Sequence, residues 1–264
     1  MKRVYLFTLV LAFAAAACTP KPLPNDPVLE QGYRDLFESV SFRETVPSDR
    51  GSMEFAVELL DVRDGGPLRD LARELLYDKA SADEYAKGVL AAMRNEFEAF
   101  LAGVEELETV NGLWSFEEAN TVEVTANYAV LGKSAYSFTG GAHGNYYALA
   151  FVIDLRGPER LNLQALFEKP GLEALIDREL RRVSQEQSGE ELPAKAPLSS
   201  GIFFEDTCAP PENFFPDDAG INFQWNPYEI APYSAGKIVV NVPWDDLDRL
   251  LSSKGKELKA AYRK

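Results

Sequence analysis

Short stretches in which apolar and polar residues alternate recur along this chain, and they restrict the folds that it can adopt. Residues 53–59 place four large apolar side chains at every second position, so these side chains lie on one face of a predicted strand. Further strands are predicted at 36–46, 134–138, 147–155, 221–225 and 237–242, and near Phe214. Helical patterns separate some of these strands without a regular strand–helix–strand order. The sequence therefore favours an α+β fold of antiparallel sheets with packed helices over a doubly wound parallel sheet.

The clearest predicted helix follows Ser81. Apolar residues between Tyr85 and Leu107 recur at steps of three and four, which gives a stripe along one side of the helix. Ser81 and Glu84 have the spacing of a capping box, in which both side chains accept hydrogen bonds from backbone amides at the helix start. We expect the aromatic-rich stripe to pack in the core rather than to bind a cofactor. Other helical segments are predicted at 68–76, 161–167 and 171–187, and after Pro243.

A further alternating stretch covers residues 121–130 and predicts a single half-buried strand. Gly132 is then expected to form the turn that leads to the partner strand at 134–138. Two acidic pairs have local explanations, since 217–220 has the composition of a hairpin turn and Asp245 with Asp246 is expected to begin a helix. A calcium loop needs a denser alternation of oxygen ligands than these pairs offer. We therefore predict no metal site and no cofactor.

Residues 1–17 have the layout of a bacterial lipoprotein signal peptide. Lys2 and Arg3 precede an apolar stretch that is shorter than the about 20 residues of a membrane-spanning helix. Cys18 follows four alanines, where a lipoprotein cysteine is acylated; an ordinary secretory signal with a coincidental cysteine is the alternative. The prolines that follow predict that residues 18–32 form an extended, Pro-rich tether.

These features predict a lipid anchor on Cys18 and a location in the bacterial cell envelope, on the periplasmic side or the outer surface. The whole chain has a formal charge of −15, and removal of residues 1–17 would leave 25 basic and 42 acidic residues, a charge of −17. Such a charge repels nucleic acid and anionic membrane surfaces, and it favours basic partners. Because acylation of Cys18 would leave only Cys208, we expect no internal disulfide.

Two loops combine unusual backbone behaviour with aromatic side chains. Residues 136–146 contain three glycines, which permit positive φ, and residues 226–236 contain two prolines, which stiffen the chain. The candidate ligand-binding residues in these loops are Gly140, Gly141, His143, Tyr146, Tyr228, Glu229 and Tyr233. Tyrosines are favoured at interfaces, so the second loop is either a recognition edge or a rigid corner over the core.

These loops and several segments between them resemble a known bacterial family, the RsiV-like domain of unknown function found in a lysozyme-sensing anti-sigma factor. The matching segments are 139–144, 151–155, 161–167, 213–215, 226–233, Gly236 and 242–244. The resemblance implies two closely associated α+β subdomains, a companion domain at 33–135 and the RsiV-like domain at 136–264. It also implies a receptor for lysozyme rather than an enzyme. No second apolar stretch is long enough to span a membrane, so we do not expect signalling by cleavage across one.

His143 is the only histidine of the chain, so any histidine-dependent chemistry would have to use it. The hydroxyl groups of Ser134, Ser137 or Thr139 would be the nucleophiles nearest in sequence, and Asp154 would orient the imidazole. No spacing in the sequence demands this arrangement. The alternative is a structural histidine that bonds to the backbone and fixes the glycine-rich loop against a strand. We therefore predict no catalytic residues.

Three functions fit these observations. The first is a lipid-anchored envelope protein with an extracytoplasmic binding module for a basic protein such as lysozyme, or for peptidoglycan. The second is a peptidoglycan-acting hydrolase, or a deacetylase-associated protein, that uses His143. The third is a passive structural lipoprotein of the envelope, for which no saturable ligand is expected. Nucleic acid is excluded as a partner by the acidic charge in all three.

Overall fold

The computed structural model describes residues 27–63, 65–104 and 112–263. The predicted signal peptide and Cys18 lie outside the described residues. The helices of the described part are α1 (Pro27–Arg34), α2 (Pro67–Tyr77), α3 (Ala82–Gly103), α4 (Leu163–Leu166), α5 (Leu172–Ser188), α6 (Trp244–Leu247) and α7 (Ser253–Tyr262). The strands are β1 (Phe37–Ser48), β2 (Gly51–Val62), β3 (Gly112–Thr125), β4 (Tyr128–Phe138), β5 (Asn145–Asp154), β6 (Glu159–Arg160), β7 (Phe214–Pro216), β8 (Gly220–Trp225) and β9 (Ile238–Pro243).

A six-stranded sheet with the order β1-β2-β3-β4-β5-β6 forms the centre of the fold, and β7-β8-β9 form a smaller antiparallel sheet. Neighbouring strands of the large sheet are antiparallel except β2 and β3, which run parallel. A parallel pair needs a long crossover, and here α2 and α3 provide it. The predicted α+β class is confirmed, with this one parallel pair inside an otherwise antiparallel arrangement.

Helices α2 and α3 cover one face of the large sheet and form the first hydrophobic core. The odd-numbered residues 53–59 of β2 are all buried there, together with Met93 and Phe97 from α3. The capping box is present, because Ser81 Oγ accepts a hydrogen bond from the Glu84 amide and the Glu84 carboxylate accepts one from the Ser81 amide. The stripe on α3 is therefore core, as predicted, up to Phe100; Leu107 lies outside the described residues.

The second hydrophobic core lies between the opposite face of β4 and β5 and the elements that follow them. Consecutive residues of β4 contribute to the two cores in turn: Ala129 and Leu131 belong to the first core, whereas Tyr128 and Val130 pack in the second. The central strands are therefore buried on both faces in this region. The predicted boundary between residues 135 and 136 falls inside β4, and the division into two subdomains stays a prediction.

The single strand predicted over residues 121–130 is wrong, because this stretch is a hairpin. β3 ends at Thr125, which pairs with Tyr128, and Ala126 in the two-residue turn has a φ of 53°. Because the turn has only two residues, the alternation of apolar and polar residues continues across it. The sequence pattern is therefore the same as that of one strand. Gly132 is not in a turn but inside β4, where an added Cβ would lie 2.4 Å from Oγ1 of Thr121 on the neighbouring strand.

The tether prediction is wrong for residues 27–32, which are helical rather than extended. α1 begins at Pro27, and a proline is tolerated there because the first helical turn needs no amide donor. The Glu30 carboxylate accepts a hydrogen bond from the Ala126 amide (2.8 Å), and Arg34 donates one to the Val124 carbonyl (2.9 Å). These bonds hold α1 beside the β3–β4 turn. Residues 18–26 of the predicted tether lie outside the described part.

Three amide side chains bind the outer edge of β5, where no long strand follows. The Ala148 amide donates to Asn226 Oδ1 (2.7 Å), and the Ala150 amide donates to Asn213 Oδ1 (2.9 Å). The Gln224 side chain donates to the Ala148 carbonyl (2.8 Å). These side chains replace the hydrogen bonds of a neighbouring strand. They also place the loop that follows β8 beside the start of β5.

Candidate functional site

The two loops that were predicted to carry a site meet in the structure. The rings of His143 and Tyr233 are stacked, with centroids 3.8 Å apart and an interplanar angle of 15°. Two more rings contact Tyr233: the centroid of Tyr146 is 5.9 Å away and that of Tyr228 is 5.6 Å away. We call these four residues, His143, Tyr146, Tyr228 and Tyr233, the aromatic cluster. It joins the β4–β5 connection to the β8–β9 connection.

Hydrogen bonds between tyrosine hydroxyl groups and the backbone fix the cluster. The Tyr233 hydroxyl donates to the Gly144 carbonyl (2.6 Å), and the Lys237 amide donates to the Tyr146 hydroxyl (3.1 Å). Gly144 is buried, and a Cβ at this position would lie 2.4 Å from the ring of Tyr136. A side chain at residue 144 would therefore displace Tyr136. The glycine thus permits the close approach of the Tyr136 ring to the backbone of its own loop.

His143 is exposed, and its Nδ1 atom lies 3.0 Å from the Gly144 carbonyl. This contact and the stack on Tyr233 give the ring two structural neighbours. Asp154, the carboxylate suggested to orient it, lies at the opposite end of β5, about 30 Å along the strand. The Asp154 carboxylate binds Arg156 and Lys254 instead. The described structure therefore does not form the histidine–Asp154 arrangement.

Tyr228 is the most exposed tyrosine of the cluster and has an unusual backbone. The residue is 56% exposed and its φ is 70°, in the left-handed region that favours glycine. The turn is held because the Tyr228 amide donates to the Ala231 carbonyl (3.1 Å). The Glu229 carboxylate accepts from both the backbone amide (2.9 Å) and the side-chain amide (3.2 Å) of Asn226. Glu229 thus braces the turn that presents Tyr228 to solvent.

Gly140 and Gly141 lie in the exposed connection that leads to His143. Their φ angles are 96° and 95°, and a Cβ at either position would meet no atom within 4 Å. Their role is therefore conformational: they let the chain turn between β4 and the cluster. Six of the seven candidate residues lie on the two loops, and Tyr146 lies at the start of β5. Only the four aromatic ones contact one another through their rings.

Two aromatic residues near the cluster were missed in the sequence. Phe204 is 49% exposed, and its amide donates to the Ile230 carbonyl (2.9 Å) in the same loop as Tyr228. Tyr136 is half-buried and lies directly opposite Tyr146 in the pairing of β4 with β5. The signal for Phe204 was a pair of phenylalanines in a polar loop, of which one is buried and one exposed.

The cluster presents hydroxyl groups and ring faces. Partial burial and the neighbouring tyrosines raise the pKa of Tyr233 above its usual value. Burial also lowers the pKa of the adjacent Lys237. The arrangement is suited to recognition, since ring faces attract cations and apolar groups while the hydroxyl groups form directional hydrogen bonds.

Within residues 27–63, 65–104 and 112–263, no group of three or more His, Cys, Asp or Glu side chains is placed to hold a metal ion. The same residues include no helix that is both long enough and apolar enough to cross a membrane.

Solved structures with the same fold agree with the α+β class. A crystal structure of a DUF3298 family member from Bacteroides fragilis has a TM-score of 0.68 at 18% identity, and the match covers 85% of this chain and 96% of that chain. A DUF3298 family protein from Pseudomonas aeruginosa PAO1 has a TM-score of 0.54 at 16% identity, with coverages of 83% and 94%. At such identities the likeness shows the fold.

The sequence carries a family domain in its C-terminal part. Residues 166–245 match the model for a protein of unknown function, DUF3298, and this segment is therefore a DUF3298 domain. It includes Tyr228 and Tyr233, whereas His143 and Tyr146 precede it. No curated protein matches the chain.

Proposed function

We propose that this chain is a cell-envelope lipoprotein with an RsiV-like extracytoplasmic binding module, and that the aromatic cluster is its recognition surface. The proposed partner is a basic protein, and a lysozyme-like protein is the first candidate. A lipid on Cys18 would anchor the module to the membrane, with the folded part in the periplasm or on the outer surface. The resemblance in the two loops and the acidic charge support this assignment.

The observation that carries the proposal is the exposure of Tyr228 on a rigidly held loop. Tyrosine offers a large contact area with few rotatable bonds, and such residues are enriched among those that dominate binding energy. Its positive φ is unfavourable for a residue with a side chain. A strained residue that is mostly exposed contributes little to folding, so its position points to a role in binding.

The charge of the chain favours a basic partner over a neutral one. Ring faces attract the ammonium and guanidinium groups of lysine and arginine. The excess of carboxylates steers a cationic protein towards the module, and this steering weakens as salt is added. A glycan could also stack on the tyrosines, but its binding would depend little on salt.

The test is titration calorimetry of residues 19–264 with a c-type lysozyme at ionic strengths of about 0.01 M and about 0.15 M. We expect one-site binding that weakens with salt. Tyr228→Ala should weaken it at least about tenfold, as expected for a central aromatic contact. Asn95→Ala is the control, because Asn95 is also exposed but lies on α3 and in neither of the two loops. Absence of heat at both ionic strengths would refute lysozyme as the partner.

A further inference from the structure

The second face of the six-stranded sheet is covered over only part of its area in the described structure. Where β4 and β5 lie over the second core, residues such as Tyr128 and Val152 on this face are buried. On β2 and the first half of β3 the same face is open. Glu54, Glu58 and Glu117 are exposed there, while the alternate residues of β2 point into the first core.

The open area combines carboxylates with small side chains and one arginine, because strand pairing places Arg43 of β1 beside Ala56. Strand pairing places Glu54 beside Ser115, Ala56 beside Glu117, and Glu58 beside Ala119. We call these six residues, 54, 56, 58, 115, 117 and 119, the open sheet face. Apart from Arg43, the neighbours of the carboxylates on β2 and β3 are small, and all three carboxylates are exposed. Within the described residues, no ion pair neutralises any of the three glutamates.

Strand pairing also connects the open sheet face to the aromatic cluster. Glu117 lies opposite Tyr136, and Tyr136 lies opposite Tyr146. Directly opposed residues of antiparallel strands have Cβ atoms about 5 Å apart, so this row of side chains is continuous. The ring of Tyr136 also covers Gly144, next to His143. The carboxylates and the cluster therefore belong to one uninterrupted surface.

We infer that the open sheet face is the second half of the partner-binding surface, next to the aromatic cluster. Its carboxylates bind lysine and arginine side chains of the same cationic protein that contacts the cluster. This inference rests on the proposed function and adds a defined, charged contact area to it. A neutral glycan would donate hydrogen bonds to these carboxylates but would gain no ion pair from them. A second copy of this chain would oppose the same negative charges, which disfavours self-association through this face.

The first experiment replaces Glu54, Glu58 and Glu117 with glutamine together. The control variant replaces Glu74, Glu96 and Glu98, which are exposed on α2 and α3, so both variants lose three negative charges. Calorimetry with c-type lysozyme at low ionic strength should show a loss of affinity of about tenfold for the sheet variant and a shallower salt dependence. Equal effects in the two variants would overturn the inference, because only total charge would then matter.

A second experiment tests the face without assuming lysozyme as the partner. Hexalysine is added to isotopically labelled residues 19–264, and backbone amide shifts are followed by NMR. We expect shifts on β2 and β3 around the three glutamates, and their loss in the sheet variant. Shifts confined to α2 and α3, or spread over the surface, would overturn the inference.

The two experiments together separate the inference from the proposed function. If hexalysine binds the open sheet face and lysozyme does not bind the protein, lysozyme fails as the partner and the inference stands. If lysozyme binds but the sheet variant behaves as the control does, the inference alone fails.

Discussion

The imidazole of His143 lies parallel to the phenol ring of Tyr233, with centroids 3.8 Å apart. This stack connects two loops that are distant in sequence, and the Tyr233 hydroxyl strengthens the connection through its bond to Gly144. The histidine thus acts as a flat ring in a contact between loops. Such a role depends on shape and π-stacking, so it can be separated by substitution from any role that depends on proton transfer.

His143→Phe should preserve the contact with Tyr233, whereas His143→Ala should remove it. We expect the alanine variant to lose about 1 kcal/mol of unfolding free energy, which is typical of an aromatic pair, and to bind the partner more weakly. The phenylalanine variant should stay close to the natural protein in both respects. Urea unfolding and calorimetry measure these effects. Equal and complete loss of function in both variants, with intact folds, would instead indicate imidazole chemistry.

The Asp154 carboxylate connects β5 to α7 through Lys254 (2.8 Å) and also binds Arg156 (2.6 Å). Burial alone would raise the pKa of Asp154, but the hydrogen bonds from Arg156 and Lys254 outweigh it and hold the pKa well below its usual range. Asp154→Asn leaves these cations without their buried partner, and we expect it to lower the unfolding free energy at pH 7 by about 3 kcal/mol.

The loss caused by Asp154→Asn should depend on pH with a defined sign. Because the folded pKa is depressed, the carboxylate stabilises the fold fully above the unfolded pKa of about 4, and this contribution declines as pH falls towards the folded value. The difference between natural protein and variant should therefore be constant above about pH 5 and shrink below about pH 4. Asp218→Asn, in an exposed turn, is the control. A difference that does not change between these pH values would contradict the assignment.

Lys133 of β4 and Glu118 of β3 form an ion pair (3.4 Å) on the face of the sheet that the helices cover. Their side chains are 10% and 0% exposed. Lys133 also donates to the Leu76 carbonyl (2.8 Å), and Tyr85 donates to Glu118 (2.7 Å). Lys133→Met alone leaves a buried carboxylate without its cation, and we expect it to destabilise the protein by about 3 kcal/mol.

The double variant Lys133→Met with Glu118→Gln should lose less stability than the sum of the single variants. Glutamine can still accept the hydrogen bond from Tyr85, and neither change then leaves a lone buried charge. We expect a coupling of at least about 1 kcal/mol in a double-mutant cycle measured by urea unfolding. Additive effects would mean that the pair is not coupled in the folded protein.

The sequence was most informative where a feature depends on near neighbours. The alternation at 53–59 and the Ser81–Glu84 capping box predicted structure correctly because each is local. The hairpin was missed because a two-residue turn at Ala126 preserves the apolar period. The two site loops were predicted, but their contact was not, because the stack of His143 on Tyr233 depends on tertiary packing. The open sheet face could not be predicted from the sequence for the same reason, since it follows from strand pairing.

Gly88 and Gly255 lie in helices, and the same substitution should have opposite effects at the two positions. At Gly88 in α3 a Cβ would meet nothing within 4 Å, so Gly88→Ala should stabilise the protein by about 1 kcal/mol through helix propensity. At Gly255 in α7 a Cβ would lie 2.4 Å from the carbonyl oxygen of Leu166. Gly255→Ala should therefore be destabilising in thermal unfolding. Stabilisation by both changes would show that α7 does not pack closely against residue 166.

Tyr228 offers a test of whether strain has been retained for binding. Tyr228→Gly removes the ring and also relieves the left-handed backbone, whereas Tyr228→Ala removes the ring but keeps the strain. The glycine variant should be more stable than the alanine variant by about 1 kcal/mol in urea unfolding, because only glycine adopts this conformation freely. Both variants should lose affinity for the basic partner to a similar degree.

The glycine variant is also compared with the natural protein. If it is more stable than the natural protein and yet binds poorly, the fold tolerates an unfavourable φ at residue 228 because the exposed ring is needed for recognition. If instead the glycine variant kept full affinity, the ring would not be the contact residue, and the recognition surface would have to lie elsewhere on the two loops.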